Sequence, residues 1–298
     1  MPLLFLASTL TPHGRLTLAQ DDDAAAVEAE LAHRLQNAFA GGSGHGLLQL
    51  GANEIGVALP PTLSYWREFA AQYVTAVCTL PDTGAEPPKA HVPVPPASEL
   101  DQLVLAAPPM TGAEYLTATV LSALWQELDA AFRFELSESK CGVEEFLKRR
   151  NPAWNLVGRV HFNLAENRKD EAAPFAFLAT YTTRLSAHAK AQHLPLGQAL
   201  REYAGAANRE RLLSLLLPVQ RAAERCPWLK AMADAGEIFH PLRWMPNQAM
   251  QLLRDVPQLE SAGVVVRMPA TWRANRPDRK STRLNSSHRS LSRMPSSA

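Results

Sequence analysis

The sequence predicts an α+β fold dominated by helices, with a small N-terminal α/β unit followed by a larger helical unit that contains a β-hairpin. Most of the chain places apolar residues three or four positions apart, which is the period of a helix. Strand-like stretches are few and short, and no repeat of fixed period occurs. Of the 298 residues, 46% are hydrophobic and 20% are charged, a balance typical of a globular protein.

The N-terminal unit is predicted to comprise residues 1–80 and to begin with strands. Residues 3–18 predict two short strands around the turn Pro12-His13-Gly14. Asp21-Asp22-Asp23 predict the N-cap and the acidic first turn of a helix, and Gly41-Gly42 predict its end. The apolar face of this helix consists of Val27, Leu31, Leu35 and Phe39.

A strand, a second helix and a linker follow. Residues 47–59 are strand-like, and Thr62 is the predicted start of the helix. Its apolar face consists of Leu63, Trp66, Phe69, Tyr73 and Val77. Residues 81–98 contain six prolines, which is typical of an extended linker, so we place the domain boundary there.

The second unit, residues 99–277, is predicted to begin with a helix and a hairpin. Thr111-Gly-Ala-Glu114 is a capping-box sequence for a helix through about Ala131, with Leu116, Val120, Leu124 and Leu128 facing inward. Asn155–Leu164 and Phe175–Thr182 alternate as strands do, with a charged turn between them. The inward positions of this hairpin are Val157, Val160, Phe175 and Phe177.

The rest of the second unit is predicted to be mainly helical. Pro227 and Pro246 suit the first turn of a helix, and Gly236 suits a helix end. Val264–Val266 predict a final strand. The helices are predicted near residues 196–205, 208–225, 227–235 and 246–255.

The last 21 residues, 278–298, have a different composition from the rest. Seven of them are serine, and their few apolar residues show no helical or strand period. Asp278–His288 and Ser292–Ala298 are also the translation, in one frame, of a common short-read sequencing adapter. We therefore interpret residues 278–298 as a non-native tail that contributes nothing to folding, and we expect the natural gene to continue after Pro277.

The charge and the cysteine content indicate the cellular compartment and limit the kinds of partner that the chain can bind. The tail holds five of the 30 basic residues and one of the 29 acidic residues, so residues 1–277 carry a net charge of −3. Any DNA contact must therefore come from a local patch. Cys78, Cys141 and Cys226 are far apart, as in a reducing compartment. No long apolar run predicts a membrane span, so we expect a cytoplasmic protein without a membrane partner.

Several motifs that suggest chemistry are better explained structurally. Gly41–Gly46, GGSGHG, lacks the lysine that a phosphate-binding loop needs, so a helix end and a loop are favoured. Asp170-Glu-Ala-Ala173 resembles a magnesium-binding acidic motif. Such a motif follows an apolar strand, whereas these residues lie in a charged turn. His188, His193 and His240 lack the spacing of a zinc site. We therefore assign no catalytic, cofactor-binding or metal-binding residue.

The densest basic cluster outside the tail is Lys148-Arg149-Arg150, at a predicted helix end. Cations at this position compensate the helix dipole, which is the favoured explanation. The functional alternative is contact with nucleic-acid phosphates. Lys148, Arg149 and Arg150 are therefore the candidate nucleic-acid-binding residues.

The most distinctive stretch runs from Leu259 to Trp272, LESAGVVVRMPATW, and is followed by Arg276-Pro277. It resembles the start of the helicase-associated domain in large bacterial SWI/SNF-type (Snf-two family) DNA helicases. Further segments resemble the region before the motor of that family. They are Leu63–Ala70, Trp154–Asn167, Phe175–Ser186, His193–Leu196, Leu217–Ala223 and Gly236–Trp244.

The resemblance implies a parent protein that is an ATP-dependent DNA translocase. Its motor, with two RecA-like lobes, would follow the region seen here and would bind ATP and magnesium. No position matches the motor's own motifs, so we expect this fragment to be inactive alone and to hold no cofactor. We expect an accessory region that docks on its own motor or guides DNA. The alternative is a standalone protein-interaction module without enzymatic activity.

Overall fold

The structure, a computed structural model, describes residues 2–80, 92–204 and 209–269. The predicted α+β fold is confirmed. The helices are α1 Ala29–Ala40, α2 Ser43–Leu48, α3 Pro61–Cys78, α4 Ala97–Leu105, α5 Ala118–Ser139, α6 Val143–Arg150, α7 Leu196–Glu202, α8 Arg209–Arg225, α9 Pro227–Asp234 and α10 Pro246–Ser261. The strands are β1 Leu3–Leu10, β2 Leu16–Gln20, β3 Ala26–Glu28, β4 Val160–Glu166, β5 Phe175–Leu185, β6 Ala191–Pro195, β7 Leu242–Trp244 and β8 Val265–Arg267.

The first sheet is antiparallel, in the order β2-β1-β3. Its β1–β2 hairpin confirms the prediction for residues 3–18. The predicted N-cap at residues 21–23 is wrong, because α1 begins only at Ala29. Asp21 instead accepts a hydrogen bond from the Asp23 backbone N–H at 3.1 Å, in a turn that leads into β3. This third strand pairs with β1, and it buries Val27 from a strand rather than from a helix.

The predicted strand at residues 47–59 is also wrong. Its first part belongs to α2, which continues as a π-helical turn over Gln49–Asn53. The segment is buried on several sides at once, so its apolar residues do not mark a single helical face. Glycines allow this close packing: a Cβ on Gly44 would overlap the α5 backbone, and one on Gly51 would lie 2.6 Å from the Ala70 Cβ.

Helices α3 and α5 form the centre of the first core. All five residues of the predicted apolar face of α3 are buried. The predicted capping box before α5 is wrong, since Thr117 is the N-cap and accepts a hydrogen bond from Val120 N–H at 3.2 Å. The Thr111 carbonyl instead accepts a hydrogen bond from Leu10 N–H at 3.0 Å, so the predicted cap is tied to β1.

The second sheet has the order β6-β5-β4-β8. Strand β7 also pairs with β5, away from the part of β5 that pairs with β6. Strands β4 and β5 form the predicted hairpin, although β4 begins at Val160 because residues 152–156 form a 3-10 turn. Strand β8 pairs with β4 in parallel, which confirms the predicted final strand. The four predicted helices are present as α7 to α10, and Pro227 and Pro246 lie in the first turns of α9 and α10.

The buried apolar side chains form two clusters that meet near Gly158. The first contains residues between Leu6 and Val157 together with Leu185, and the second contains residues between Val160 and Val266. Helices α4, α5 and α6 thus belong to the same apolar cluster as the N-terminal sheet. The predicted boundary at residues 81–98 stays a prediction, because residues 81–91 lie outside the described part of the chain.

The inward positions predicted for the hairpin are distributed over both clusters. Val157 belongs to the first cluster, while Val160 and Phe177 are fully buried in the second. Phe177 stacks on Trp244, with ring centroids 4.2 Å apart. Phe175 is only partly buried. None of the described helices has both the length and the apolar content that crossing a membrane requires.

Candidate functional site

The predicted basic cluster forms the last turn of α6, where cations oppose the helix dipole. Lys148 is exposed and makes no ion pair within the described residues. Arg149 is exposed and pairs with Glu145 one turn earlier, with 2.9 Å between Nε and Oε1. This hydrogen bond is the main cause that raises the pKa of Arg149.

Arg150 turns away from the other two basic residues. Its guanidinium carbon lies 4.4 Å from the centre of the Phe146 ring, a cation–π distance. Its NH1 donates to Asn53 Oδ1 at 2.9 Å, and its NH2 forms an ion pair with Glu135. The three side chains therefore do not form one surface, and their contact with nucleic acid stays a prediction.

Arg150 lines a cleft of about 530 Å³ between α1, α2, α5 and α6. The polar lining includes Arg34, His45, Gln49, Asn53, Glu135 and Arg150. These residues come from segments that are far apart in the chain, so no sequence spacing connects them. Among them, only Arg150 was a predicted site residue.

Close helix packing positions His45 in this cleft. A Cβ on Gly46 would overlap the Phe39 ring of α1, and one on Gly44 would overlap α5. Glycine at both positions lets α2 approach its two neighbours. His45 then reaches Glu135 on α5, with 2.6 Å between Nδ1 and Oε1. The expected helix end is confirmed, since Gly41 caps α1, but the expected loop is limited to Gly41-Gly42 because α2 begins at Ser43.

The π-helical turn places Gln49 and Asn53 in the cleft and precedes Glu54, whose side chain is almost fully buried. Arg34 donates to both carboxylate oxygens of Glu54, at 3.0 and 3.1 Å. Gln49 Nε2 donates to the same carboxylate at 2.9 Å. The hydrogen bond to Glu54 is the largest cause that raises the pKa of Arg34. Single π turns inside helices often occur at functional sites.

The charged groups of the cleft form two ion pairs. Arg34 pairs with Glu54, and Arg150 pairs with Glu135, the one carboxylate among the lining residues of the described chain. Several polar nitrogens have no partner among the described residues. Three are donors, namely Arg34 Nη1, Asn53 Nδ2 and Arg150 Nε, of which Arg150 Nε is buried. The fourth, His45 Nε2, is an acceptor because His45 Nδ1 donates to Glu135.

A second polar network lies on the second sheet, on the face opposite the apolar core. Arg267 NH1 lies 2.9 Å from His193 Nε2, and His193 Nδ1 lies 2.9 Å from Thr182 Oγ1. Thr182 Oγ1 lies 2.8 Å from His161 Nε2. His161 is completely buried, and its burial is the main cause that lowers its pKa to about 4.

Other groups considered in the sequence analysis have structural partners. The Asp170 carboxylate accepts hydrogen bonds from the Ala173 backbone at 3.1 Å and from Arg243 Nε at 2.7 Å. Both lower the pKa of Asp170, and the Ala173 contact is the larger cause. Within the residues that the structure describes, no group of three or more potential ligands could hold a metal ion.

Residues 237–297 match a family model described as "SNF2 Helicase protein". The match covers about a fifth of the chain and includes β7, α10 and β8. It also includes residues 278–297, which the sequence analysis interprets as non-native, so the two findings disagree over that segment. Searches of curated proteins and of solved structures found no match.

Proposed function

We propose that the chain is an accessory region of an SNF2-type ATP-dependent DNA helicase that acts mainly by docking on the motor of the same protein. The observation that carries this proposal is the match to the SNF2 helicase model over residues 237–297. The resemblance of Leu259–Trp272 to the start of a helicase-associated domain supports it. The cytoplasm, where such a helicase meets bacterial DNA, is the proposed location.

Charge favours docking on the motor over extensive DNA binding. The net charge of residues 1–277 is −3, so the chain as a whole does not attract phosphate. In the predicted basic cluster, Arg150 is held by Glu135 and Asn53, which leaves Lys148 and Arg149 on the surface. Two neutralised phosphates predict a log–log salt slope of about −1.8 on duplex DNA.

Covalent attachment to a motor makes weak docking sufficient. A short flexible linker gives an effective concentration in the millimolar range, so a low-affinity surface would still be occupied. The motor would supply the ATP and magnesium chemistry. We expect the isolated chain to show no magnesium-dependent ATP binding at micromolar concentrations in calorimetry.

The first test is the sequence of the natural gene beyond codon 277. The proposal requires a Gly-Lys-Thr phosphate loop and an Asp-Glu-x-His box encoded downstream in the same frame. A stop codon shortly after codon 277 would contradict it and would favour the standalone interaction module.

The second test mixes purified 1–277 with the separately expressed motor and, in parallel, with duplex DNA over a salt series. We expect saturable binding to the motor. We expect weak DNA binding that Lys148→Ala with Arg149→Ala reduces, and Arg243→Ala, an exposed arginine elsewhere, serves as the matched control. Tight DNA binding that the double variant leaves unchanged, without motor binding, would defeat the proposal.

A further inference from the structure

The cleft between α1, α2 and α6 presents hydrogen-bond donors that the protein itself does not use. Arg34 Nη1 and Asn53 Nδ2 are donors without a partner among the described residues. His45 Nε2 also lacks a partner there, and it is an acceptor because His45 Nδ1 donates to Glu135. Arg34 and His45 are partly exposed, with 49% and 31% of the side chain accessible, so a ligand can reach them. These nitrogens come from α1, α2 and the π-helical turn and face a common space of about 530 Å³.

The arrangement fits a tetrahedral oxyanion better than a planar carboxylate. A single carboxylate is matched by one arginine fork with two parallel hydrogen bonds. Here the free nitrogens belong to separate side chains on α1, α2 and the π-helical turn, and two donate while His45 Nε2 accepts, which suits a group that has oxygens and a hydroxyl pointing in several directions. Guanidinium groups also bind phosphate through charge-assisted hydrogen bonds.

The two carboxylates near the cleft do not prevent anion binding. Glu54 has only 4% of its side chain exposed and is covered by Arg34 and Gln49, so an anion meets the guanidinium first. Glu135 is held on one oxygen by His45 and on the other by Arg150. The charge of each carboxylate is therefore balanced within the protein.

The cleft is also held in shape before a ligand arrives. The Glu135 carboxylate contacts both His45 and Arg150, while the Phe146 ring packs against the Arg150 guanidinium. The close packing at Gly44 and Gly46 leaves α2 little room to shift. A site whose donors are already oriented loses less entropy on binding.

We propose that this cleft binds a phosphate group, with Arg34 and Asn53 as its direct donors, His45 Nε2 as the acceptor for a phosphate hydroxyl and Arg150 as the positioning cation. The phosphate comes either from a small free phosphate compound or from the terminal phosphate of a nucleic-acid strand. The proposal does not depend on docking to a helicase motor.

The test is calorimetry of the full 298-residue chain with inorganic phosphate and with pyrophosphate. Arg34→Gln combined with Glu54→Gln removes the cation without leaving a buried carboxylate unpaired. We expect saturable binding that weakens about tenfold or more in this double variant, the size of effect expected for a lost charged hydrogen bond. Arg254→Gln, at an exposed arginine outside the cleft, should bind as the wild type does.

A second arm identifies the source of the phosphate. Short oligonucleotides with a 5′-phosphate and with a 5′-hydroxyl are compared on wild type and on the double variant. Tighter binding of the phosphorylated strand, lost in the double variant, supports the proposal and assigns the strand end. Equal binding of both strands, with inorganic phosphate still bound in the cleft, supports the proposal and assigns a free compound.

Two results would overturn the proposal. One is the absence of saturable binding of either inorganic anion at concentrations up to about 10 mM, which corresponds to less than about 3 kcal/mol of affinity. The other is binding that persists unchanged in both the Arg34→Gln/Glu54→Gln variant and His45→Gln. Thermal melting of each variant shows whether it is folded, and a folded variant makes either result decisive.

Discussion

The two polar networks of the molecule differ in how much water reaches them. Around the cleft, Arg34 and His45 are partly exposed, and donors remain unused. On the second sheet, His161 and Thr182 are completely buried, and each hydrogen bond continues into the next. The network around the cleft, the open network, has groups to offer a ligand. The network of His161, Thr182, His193 and Arg267, the closed network, uses its groups to join strands.

The direction of the hydrogen bonds explains why the closed network is neutral. A guanidinium only donates, so Arg267 makes His193 Nε2 an acceptor. His193 Nδ1 then carries the proton and donates to Thr182 Oγ1, which lies 2.8 Å from His161 Nε2. His161 Nε2 also lies 3.5 Å from the Leu156 carbonyl oxygen, and His161 Nδ1 is a buried atom without a partner among the described residues. His193 is therefore neutral, and burial keeps His161 neutral as well. The network joins β8 directly to β6 and continues through β5 to β4.

The largest expected effect comes from breaking the closed network at its centre. Thr182→Val keeps the shape of the side chain but leaves His193 Nδ1 without its partner and His161 Nε2 with only the 3.5 Å contact to the Leu156 oxygen. Each unpaired buried group costs about 1–3 kcal/mol, so we expect a loss of about 2–4 kcal/mol in the free energy of unfolding. Chemical denaturation measures this loss.

Thr183→Val, in the same strand, is the matched control. The Thr183 hydroxyl makes one long hydrogen bond of 3.4 Å on a more exposed face. We expect its replacement to change stability by less than about 0.5 kcal/mol. Equal effects of the two variants would show that the network contributes nothing.

The next effect is a loss of stability in mild acid. The pKa of His161 in the folded protein is about 4, below the value of about 6.5 in an unfolded chain. The unfolded state therefore binds the proton more readily, so the stability contributed by neutral His161 is present above pH 6.5 and lost as pH falls towards 4. We expect about 2 kcal/mol less stability at pH 5 than at pH 7.5.

Burial and the charged groups that face His161 and His193 lower the pKa values of these histidines. Burial lowers the pKa of His161 most, followed by the charges of Arg267 and His193. Burial and Arg267 also lower the pKa of His193. A His161→Gln variant should lose much of this pH dependence. Stability that is flat from pH 7.5 to pH 5 in the wild type would contradict the neutral network.

A smaller effect is expected on the exposed side of α6. Arg149 and Glu145 form an ion pair in which both side chains are about half exposed or more. Exposed pairs one helical turn apart contribute about 0.3–0.5 kcal/mol. A double-mutant cycle with Arg149→Ala and Glu145→Ala should give a coupling of this size, and one above about 1 kcal/mol would show that the pair is shielded from water.

The smallest effect is expected from removing residues 278–298. These residues lie outside the described chain, and their composition predicts no contribution to a core. We expect the melting temperatures of 1–298 and 1–277 to agree within about 1 °C, since about 1 kcal/mol shifts a protein of this size by 2–4 °C. A drop of several degrees would show that the tail belongs to the fold.

The sequence predicted elements whose signals are local. The apolar face of α3, the prolines that begin α9 and α10, and the alternation in the hairpin each depend on neighbouring residues alone. The failures at residues 21–23, 47–59 and 111–114 have the opposite cause. In each, a tertiary contact decides the structure. Pairing with β1 decides it after residues 21–23 and at residues 111–114, and close packing at glycines decides it at residues 47–59.

The candidate site could be predicted only in part for the same reason. Lys148-Arg149-Arg150 was recognisable as a cluster, but the sequence could not show that Arg150 turns towards Asn53 and Glu135. Arg34 and His45 join it only because α1 and α2 pack tightly. The alternating glycines at 42, 44 and 46 were the one available signal, and they indicate close helix packing.

The contrast between an open and a closed network is tested most directly by the imidazole NMR signals of His45, His161 and His193 during a phosphate titration of the full chain. We predict that the His45 signals shift saturably while those of His161 and His193 stay unchanged, because of these three residues only His45 has a ring nitrogen exposed in the cleft. Shifts of His161 or His193 with His45 unchanged, or no saturable shift of any of the three, would contradict it.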